Sequence, residues 1–156
     1  MMLRLSIYLI MIVLSLDGCK AIKMEQDQEQ GIIGQIYWME GNQMPMIVED
    51  GEEPIKQEKA KVQRTVKIYE LTKVNQLEQA NGLFSEPPTK LVAEVTSDES
   101  GHFKVGLPPG TYSVFTVEEG GFFANLFDQE MNVNPVEITE EEWMILNIKI
   151  DYKAFF

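Results

Sequence analysis

Apolar and polar residues alternate along most of this chain, and this two-residue period constrains the fold more than any other feature. The clearest run covers residues 144–153, and shorter runs cover 32–39, 62–71, 91–96 and 102–107. Successive side chains of a β-strand point to opposite faces, so these runs predict half-buried strands. The run over 144–153 has the pattern of an antiparallel strand with one face in the core and the other in solvent.

Turn-forming residues separate the predicted strands. Residues 97–101 predict a short hairpin, because Gly101 adopts a positive φ at no steric cost. Residues 108–110, Pro-Pro-Gly, predict a second reversal. Helical periodicity is limited to one or two turns within 71–83 and another within 138–142. About seven short strands joined in this way predict an all-β fold, an antiparallel sandwich.

The first 18 residues have the features of a secretory signal peptide. Arg4 supplies the positive charge, and the apolar stretch 7–14 has the length of a signal-peptide core rather than a bilayer span. Residues 16–19 read Leu-Asp-Gly-Cys and resemble the lipobox of bacterial lipoproteins. The resemblance implies cleavage before Cys19, a diacylglyceryl thioether on its sulfur and acylation of the new α-amine. The alternative is an ordinary signal peptide followed by an unrelated cysteine.

Acylation of Cys19 would attach the protein to a membrane that it does not cross. Each buried methylene contributes about 0.8 kcal/mol, so two or three acyl chains hold a protein on a bilayer essentially permanently. Residues 20–30 are polar and predict a solvated tether, so that residues 19–30 link the anchor to a folded domain at 31–156. We therefore expect a lipid-anchored protein of the bacterial cell envelope, in the outer membrane, facing the periplasm or the cell surface.

Charge and composition limit the partners. Lysine and arginine number 13 against 25 aspartate and glutamate residues, which leaves a net charge of −12. Nucleic acid would have to be bound against repulsion, so no nucleic-acid partner is expected. A single histidine and a single cysteine exclude a disulfide framework and a Cys/His zinc cluster. No cofactor is expected.

Several segments together resemble carboxypeptidase regulatory-like domains. They are Gly-Ile-Ile-Gly-Gln-Ile (31–36), Gly-Asn-Gln-Met-Pro (41–45), Thr-Val-Lys-Ile-Tyr (65–69), Asp-Glu-Ser-Gly-His-Phe (98–103) and Leu-Pro-Pro-Gly-Thr-Tyr-Ser-Val (107–114). The resemblance spans about residues 31–153 and implies a prealbumin-like (transthyretin-like), seven-stranded Greek-key sandwich, often carried on bacterial secreted or surface proteins. Its motifs mark turns and core positions, so it bears on the fold far more than on the function.

A catalytic centre is not expected. Prealbumin-like relatives that hydrolyse a purine-derived ring or bind non-haem iron use more than one histidine, whereas this chain has only His102, on the strand face opposite Phe103. No nucleophile motif accompanies His102, and Cys19 is expected to be acylated. The 25 acidic residues form many possible carboxylate pairs, but no spacing singles out two of them.

Two acidic stretches offer oxygen ligands for Ca²⁺. They are the insert at 49–59 and the pair Asp98 and Glu99. Neither follows the Asp-x-Asp-x-Asn-Gly spacing of a calcium loop, so solvated loops are the expected structure.

Residues 120–128 contain the candidate binding side chains. Phe122 and Phe123 are adjacent and must point to opposite faces of a strand, so both cannot enter one core layer. One of them, with Phe127, would form a small hydrophobic platform for a sugar ring or a partner protein. The alternative is a crossover that folds over the open end of the sandwich and buries all three.

Together these features predict a non-catalytic, membrane-anchored binding or structural module that presents loops to a partner protein, peptide or glycan of the envelope. The alternative is an accessory or folding-aid subunit of a larger envelope complex, in which an exposed strand edge pairs with a client.

Overall fold

The computed structural model describes residues 29–42, 44 and 59–155. The predicted signal peptide, Cys19 and residues 49–58 of the acidic insert lie outside the described residues. Within the described ranges the chain forms twelve strands and one 3-10 helix, Val74–Gln76. In chain order the strands are β1 Gly31–Asn42, β2 Ala60–Lys61, β3 Thr65–Glu70, β4 Gln79–Ala80, β5 Leu83–Phe84, β6 Leu91–Thr96, β7 His102–Gly106, β8 Gly110–Glu118, β9 Gly121–Phe123, β10 Pro135–Ile138, β11 Trp143–Ile145 and β12 Ile148–Phe155.

These strands form two sheets, and the predicted all-β sandwich is confirmed. In the smaller sheet β1 is central, with β7 and β2 along one side and β11 and β12 along the other. The larger sheet has the order β4-β5-β9-β8-β3-β6, and β10 also pairs with β8. The expectation of about seven strands is wrong for the described part of the chain. Several strands are pieces of two to four residues, too short for alternation to reveal.

The main core lies between the sheets and is built from alternate residues of the predicted strands. On β1 the inward residues Ile32 and Ile36 are fully buried, whereas Ile33 between them is 41% exposed. The other buried members are Val66, Ile68, Leu83, Phe103, Leu107, Val114, Phe123, Val136, Ile138, Ile148 and Ile150. Each fully buried aliphatic or aromatic side chain contributes about 1.5–3 kcal/mol, so this layer is the main source of stability.

The run at 144–153 forms strands, but the prediction of one antiparallel strand is wrong. The run divides into β11 and β12, and both lie parallel to β1. At the interruption the Leu146 N–H donates to the Ile33 carbonyl at 2.9 Å, while the Asn147 side chain accepts the Gln35 N–H at 3.2 Å. Alternation identifies the residues that face the core, but it carries no information about the direction of the neighbouring strand.

The turn at 97–101 forms, but the predicted hairpin is wrong. β6 belongs to the larger sheet, and β7 belongs to the smaller sheet, where it pairs with β1. The turn therefore carries the chain from one sheet to the other. Gly101 has φ of 79°, and a Cβ there would collide with the Ile36 carbonyl oxygen, so the crossing requires glycine.

The two predicted helical segments have different outcomes. Residues 71–83 contain the single 3-10 turn Val74–Gln76 together with β4. Residues 138–142 contain no helical turn, because β10 ends at Ile138 and a tight turn leads directly to β11.

Candidate functional site

The structure separates the three candidate phenylalanines. Phe123 is 3% exposed and lies in the main core, with its ring centroid 5.7 Å from that of Tyr152. Phe122 points to the opposite face of β9 and is half-buried. Phe127 lies beyond the end of β9 and is 45% exposed. Of the three, only Phe127 offers a large exposed apolar surface.

Phe122 and Phe127 take part in a second cluster on the outer face of the larger sheet, which we call the outer cluster. Neighbouring rings meet edge-on, with centroids 5.9–6.5 Å apart. Its aromatic members are Tyr69, Phe84, Phe115, Phe122 and Phe127. Four aliphatic residues pack with them: Val74, Leu77, Ala124 and Val133. This cluster is not predicted from the sequence, where the position of Tyr69 on the strand face opposite Ile68 is its one available signal.

Polar groups border the outer cluster. Burial raises the pKa of Tyr69 to about 12, and the Glu86 carboxylate, 3.5 Å from its hydroxyl, adds to the shift. The Lys67 Nζ lies 5.7 Å from the centroid of the Phe122 ring. The cluster is therefore a second, smaller core rather than an open aromatic platform.

Residues 124–134 connect β9 to β10 and form what we call the apolar loop. Three large apolar side chains of this loop are exposed: Leu126 by 59%, Phe127 by 45% and Met131 by 51%. The Phe127 ring is partly covered by Phe84, because the two ring centroids lie 6.3 Å apart in an edge-on arrangement. The loop thus presents apolar surface that is attached to the outer cluster.

The apolar loop is held in shape by Asp128. Its Oδ1 accepts the backbone N–H groups of Glu130 at 2.9 Å and Asn132 at 2.8 Å, and its Oδ2 accepts the Asn132 side-chain amide at 2.7 Å. These bonds, led by the Asn132 side chain, lower the pKa of Asp128 below its usual value. The Val74 N–H also donates to the Met131 carbonyl at 3.0 Å, which ties the loop to the 3-10 turn.

The side of the sandwich between β10 and β12 lacks a closing strand among the described residues. β11 and β12 pair only with β1, and β10 pairs only with β8. A depression of about 270 Å³ beside β11 is lined by Glu137, Thr139, Glu142, Trp143, Met144 and Ile145. A second depression, of about 230 Å³, lies beside the start of β12, and its lining includes Asn125, Leu126, Asn134, Leu146, Lys149 and Asp151. We call this outer side of β11 and β12, with its two depressions, the open edge.

Apolar side chains continue from the open edge onto the outer face of the smaller sheet. Ile145 is 72% exposed, and Ile33 lies beside it in register. The Lys104 Nζ lies 4.1 Å from the centroid of the Trp143 ring, a cation–π contact that covers this ring.

His102 is exposed and holds a turn. Its Nδ1 lies 2.8 Å from the Ser100 hydroxyl oxygen. The Asp98 carboxylate accepts the Ser100 hydroxyl at 2.8 Å and the His102 N–H at 2.9 Å, and these bonds lower the pKa of Asp98. Within the described ranges no group of three or more His, Cys, Asp or Glu residues is arranged to hold a metal ion.

A partly buried ion pair lies at the opposite end of β1 from residue 31. Glu118, with a side chain 2% exposed, accepts the Arg64 Nε–H at 3.1 Å and the Tyr152 hydroxyl at 3.4 Å. The Arg64 guanidinium lies 5.5 Å from the centroid of the Trp38 ring, and the Lys153 Nζ lies 5.6 Å from it. Each charge has a structural partner, so this group stabilises the end of the sandwich.

The chain matches no protein-family model, no curated protein and no solved structure. None of the helical structure in the described ranges has the length and hydropathy to cross a bilayer. The fold and surface define an all-β sandwich with an exposed apolar loop and an open edge.

Proposed function

We propose that this protein is a non-catalytic binding module, held on a bacterial membrane by acyl chains on Cys19, that presents the apolar loop to a partner protein. The observation that carries the proposal is the exposure of Leu126, Phe127 and Met131 on a loop whose shape is set by Asp128.

The character of the apolar loop supports a binding role. Three exposed large apolar side chains on one short loop provide apolar surface of the kind found at interaction sites. A loop already held by hydrogen bonds loses little conformational entropy on binding, so more of the contact energy contributes to affinity. The Asp128 contacts and the bond from Val74 to Met131 provide this preorganisation.

The surroundings of the aromatic rings favour a protein or peptide over a glycan. A sugar stacks on an open aromatic face, but Trp143 lies under Lys104 and Phe122 lies near Lys67. Phe127 packs edge-on with Phe84. The other exposed side chains of the loop, Leu126 and Met131, suit an apolar pocket of a protein partner.

The Leu-Asp-Gly-Cys motif at residues 16–19 supports the membrane anchor. β1 begins at Gly31, so the tether after Cys19 has a maximum reach of about 40 Å at 3.3 Å per residue. An envelope partner within that distance of the bilayer is accessible to the apolar loop.

The anchor is tested by metabolic labelling with palmitate in a Gram-negative host. We expect the wild-type protein to be labelled and to sediment with membranes, and Cys19→Ala to be unlabelled and absent from the membrane fraction. An unlabelled wild-type protein contradicts the anchor.

The binding role is tested by co-purification from detergent-solubilised membranes. The loop variant Phe127→Ser/Met131→Ser is compared with Leu91→Ser, which changes a 42% exposed leucine on β6, away from the loop. We expect one envelope protein to be retained by the wild type and Leu91→Ser and lost from the loop variant, at a temperature where circular dichroism shows all three proteins to be folded. Equal retention by all three proteins, or turnover of any substrate, contradicts the proposal.

A further inference from the structure

We infer that the open edge binds an extended peptide segment with alternating apolar and basic residues, which adds to β11 and the start of β12 as a further strand. This inference rests on the proposed function and deepens it, because it names a second contact site beside the apolar loop and the chemistry of the partner segment.

Backbone groups at the open edge are oriented to accept a strand. The Leu146 N–H points to β1, where it donates to Ile33. Backbone groups of successive residues in a strand point to opposite sides, so those of Ile145, the last residue of β11, point away from β1. No described strand pairs with β11 on that side. Strand addition supplies main-chain hydrogen bonds to such groups and gives affinity independent of sequence.

The open edge is protected unevenly. Edge strands usually carry charges or bulges that prevent pairing with another chain. β12 has both, since Asp151 and Lys153 flank a register shift against β1. In addition, the Asn125 side-chain amide donates a hydrogen bond to the Lys149 carbonyl at 3.2 Å. β11 has neither: Trp143–Ile145 contains no charged residue, and Ile145 is the most exposed large hydrophobic side chain in the described ranges.

The two depressions provide places for alternate side chains of an added strand. They lie on the two sides of Leu146 along the same edge, one beside Met144 and the other beside Leu126. Every second residue of an added strand points towards the interior of the sandwich, about 7 Å from the next such residue. Apolar residues at these positions would contact Met144, Leu146 and Leu126. Since Leu126 also belongs to the apolar loop, the two contact surfaces are continuous.

The charge around the first depression favours a basic segment. Glu137 and Glu142 line this depression, whereas Asp151 lines the second together with Lys149, whose Nζ lies 3.9 Å from the Asp151 carboxylate. The chain as a whole carries a net charge of −12. Basic residues between the apolar positions of an added strand would meet this acidic rim, whereas acidic residues would be repelled.

The test uses a fluorescein-labelled ten-residue peptide of alternating valine and lysine, with the full-length protein in dodecylmaltoside and micelles alone as the blank. Fluorescence anisotropy is expected to show saturable binding that weakens as salt is raised. Two control peptides are expected to bind at least tenfold more weakly. One alternates valine and glutamate, and the other carries N-methyl groups on alternate residues, which block strand pairing without changing charge.

Two matched protein variants locate the site. Ile145→Lys adds a charge to the open edge, and Leu91→Lys adds the same charge to β6, the edge strand on the other side of the sandwich. We expect at least a tenfold loss of peptide affinity for Ile145→Lys and less than a twofold change for Leu91→Lys. Glu137→Gln is expected to weaken binding about threefold, in the range of an exposed ion pair.

Equal binding of the N-methylated peptide, or equal effects of the two lysine variants, overturns the inference, because binding would then be electrostatic rather than strand addition. The loss of a membrane partner from Phe127→Ser/Met131→Ser, two positions that line neither depression, is measured separately and would leave the proposed function standing. If the loop variant does not lose the partner while the peptide still binds at Ile145, the proposed loop function is contradicted and the open edge alone is supported.

Discussion

Truncation of Phe123 and of Phe127 removes the same atoms at two positions four residues apart, and the structure assigns them different costs. Phe123 is 3% exposed in the main core, in contact with the Tyr152 ring, so Phe123→Ala creates a cavity that its neighbours fill only in part. A buried phenylalanine truncated in this way costs about 3–5 kcal/mol of unfolding free energy.

Phe127 keeps nearly half of its surface in contact with water in the folded protein, since it is 45% exposed. About half of the usual transfer free energy, near 1 kcal/mol, is lost in Phe127→Ala, and no enclosed cavity forms. The edge-on contact with Phe84 adds about 0.5 kcal/mol. The expected cost is about 1.5 kcal/mol, so the two variants should differ by about 1.5–3.5 kcal/mol.

Urea unfolding followed by circular dichroism measures both costs, and equal slopes against urea concentration show that the same transition is compared. Leu126→Ala, at a 59% exposed position of the same loop, is the control for local effects and should cost less than 1 kcal/mol. If Phe127→Ala destabilises the protein as much as Phe123→Ala, the apolar loop is part of the core, and the reasoning behind the proposed binding surface is wrong.

Two further predictions concern the backbone and the pH dependence. Gly34→Ala should lower the free energy of unfolding, measured in urea, by about 3 kcal/mol, because the new Cβ would overlap the Leu146 carbonyl between β1 and the last strand. Gly120→Ala is the control, because Gly120 has φ of 97° and open space around it, and it should cost only about 1 kcal/mol. Tyr69 has a pKa raised to about 12 from 10.0, so the folded state favours the neutral phenol: stability is intact below about pH 10 and declines as the pH rises towards 12. Tyr69→Phe should show a smaller decline in urea midpoint between pH 9 and 11.5, and an unchanged decline would contradict this assignment.

Some parts of the fold were predictable because they depend on local pattern. The inward residues Ile32 and Ile36 and the strands β3, β6 and β7 follow from alternation, since a strand with one buried face must place apolar residues at every second position. The requirement for glycine at residue 101 follows from the same kind of local argument about φ.

Other parts depend on contacts between distant residues and were missed or wrong. The prediction of a hairpin at 97–101 was wrong, because a turn sequence does not determine whether the flanking strands pair with each other or with other strands. The outer cluster was missed because Tyr69 and Phe115 lie on strand faces that local pattern assigns to solvent, whereas the segments at 71–77 and 124–133 cover them.

By itself the sequence determined an all-β sandwich, the residues that face its core, and the opposite orientations of Phe122 and Phe123, because each of these follows from the alternation of side chains along a strand. Only the tertiary structure decided that β11 and β12 run parallel to β1, that Phe127 is exposed while Phe123 is buried, and that one edge stays open. Strand neighbours and the cover over a sheet face are chosen by packing across the whole domain, and no local pattern encodes them.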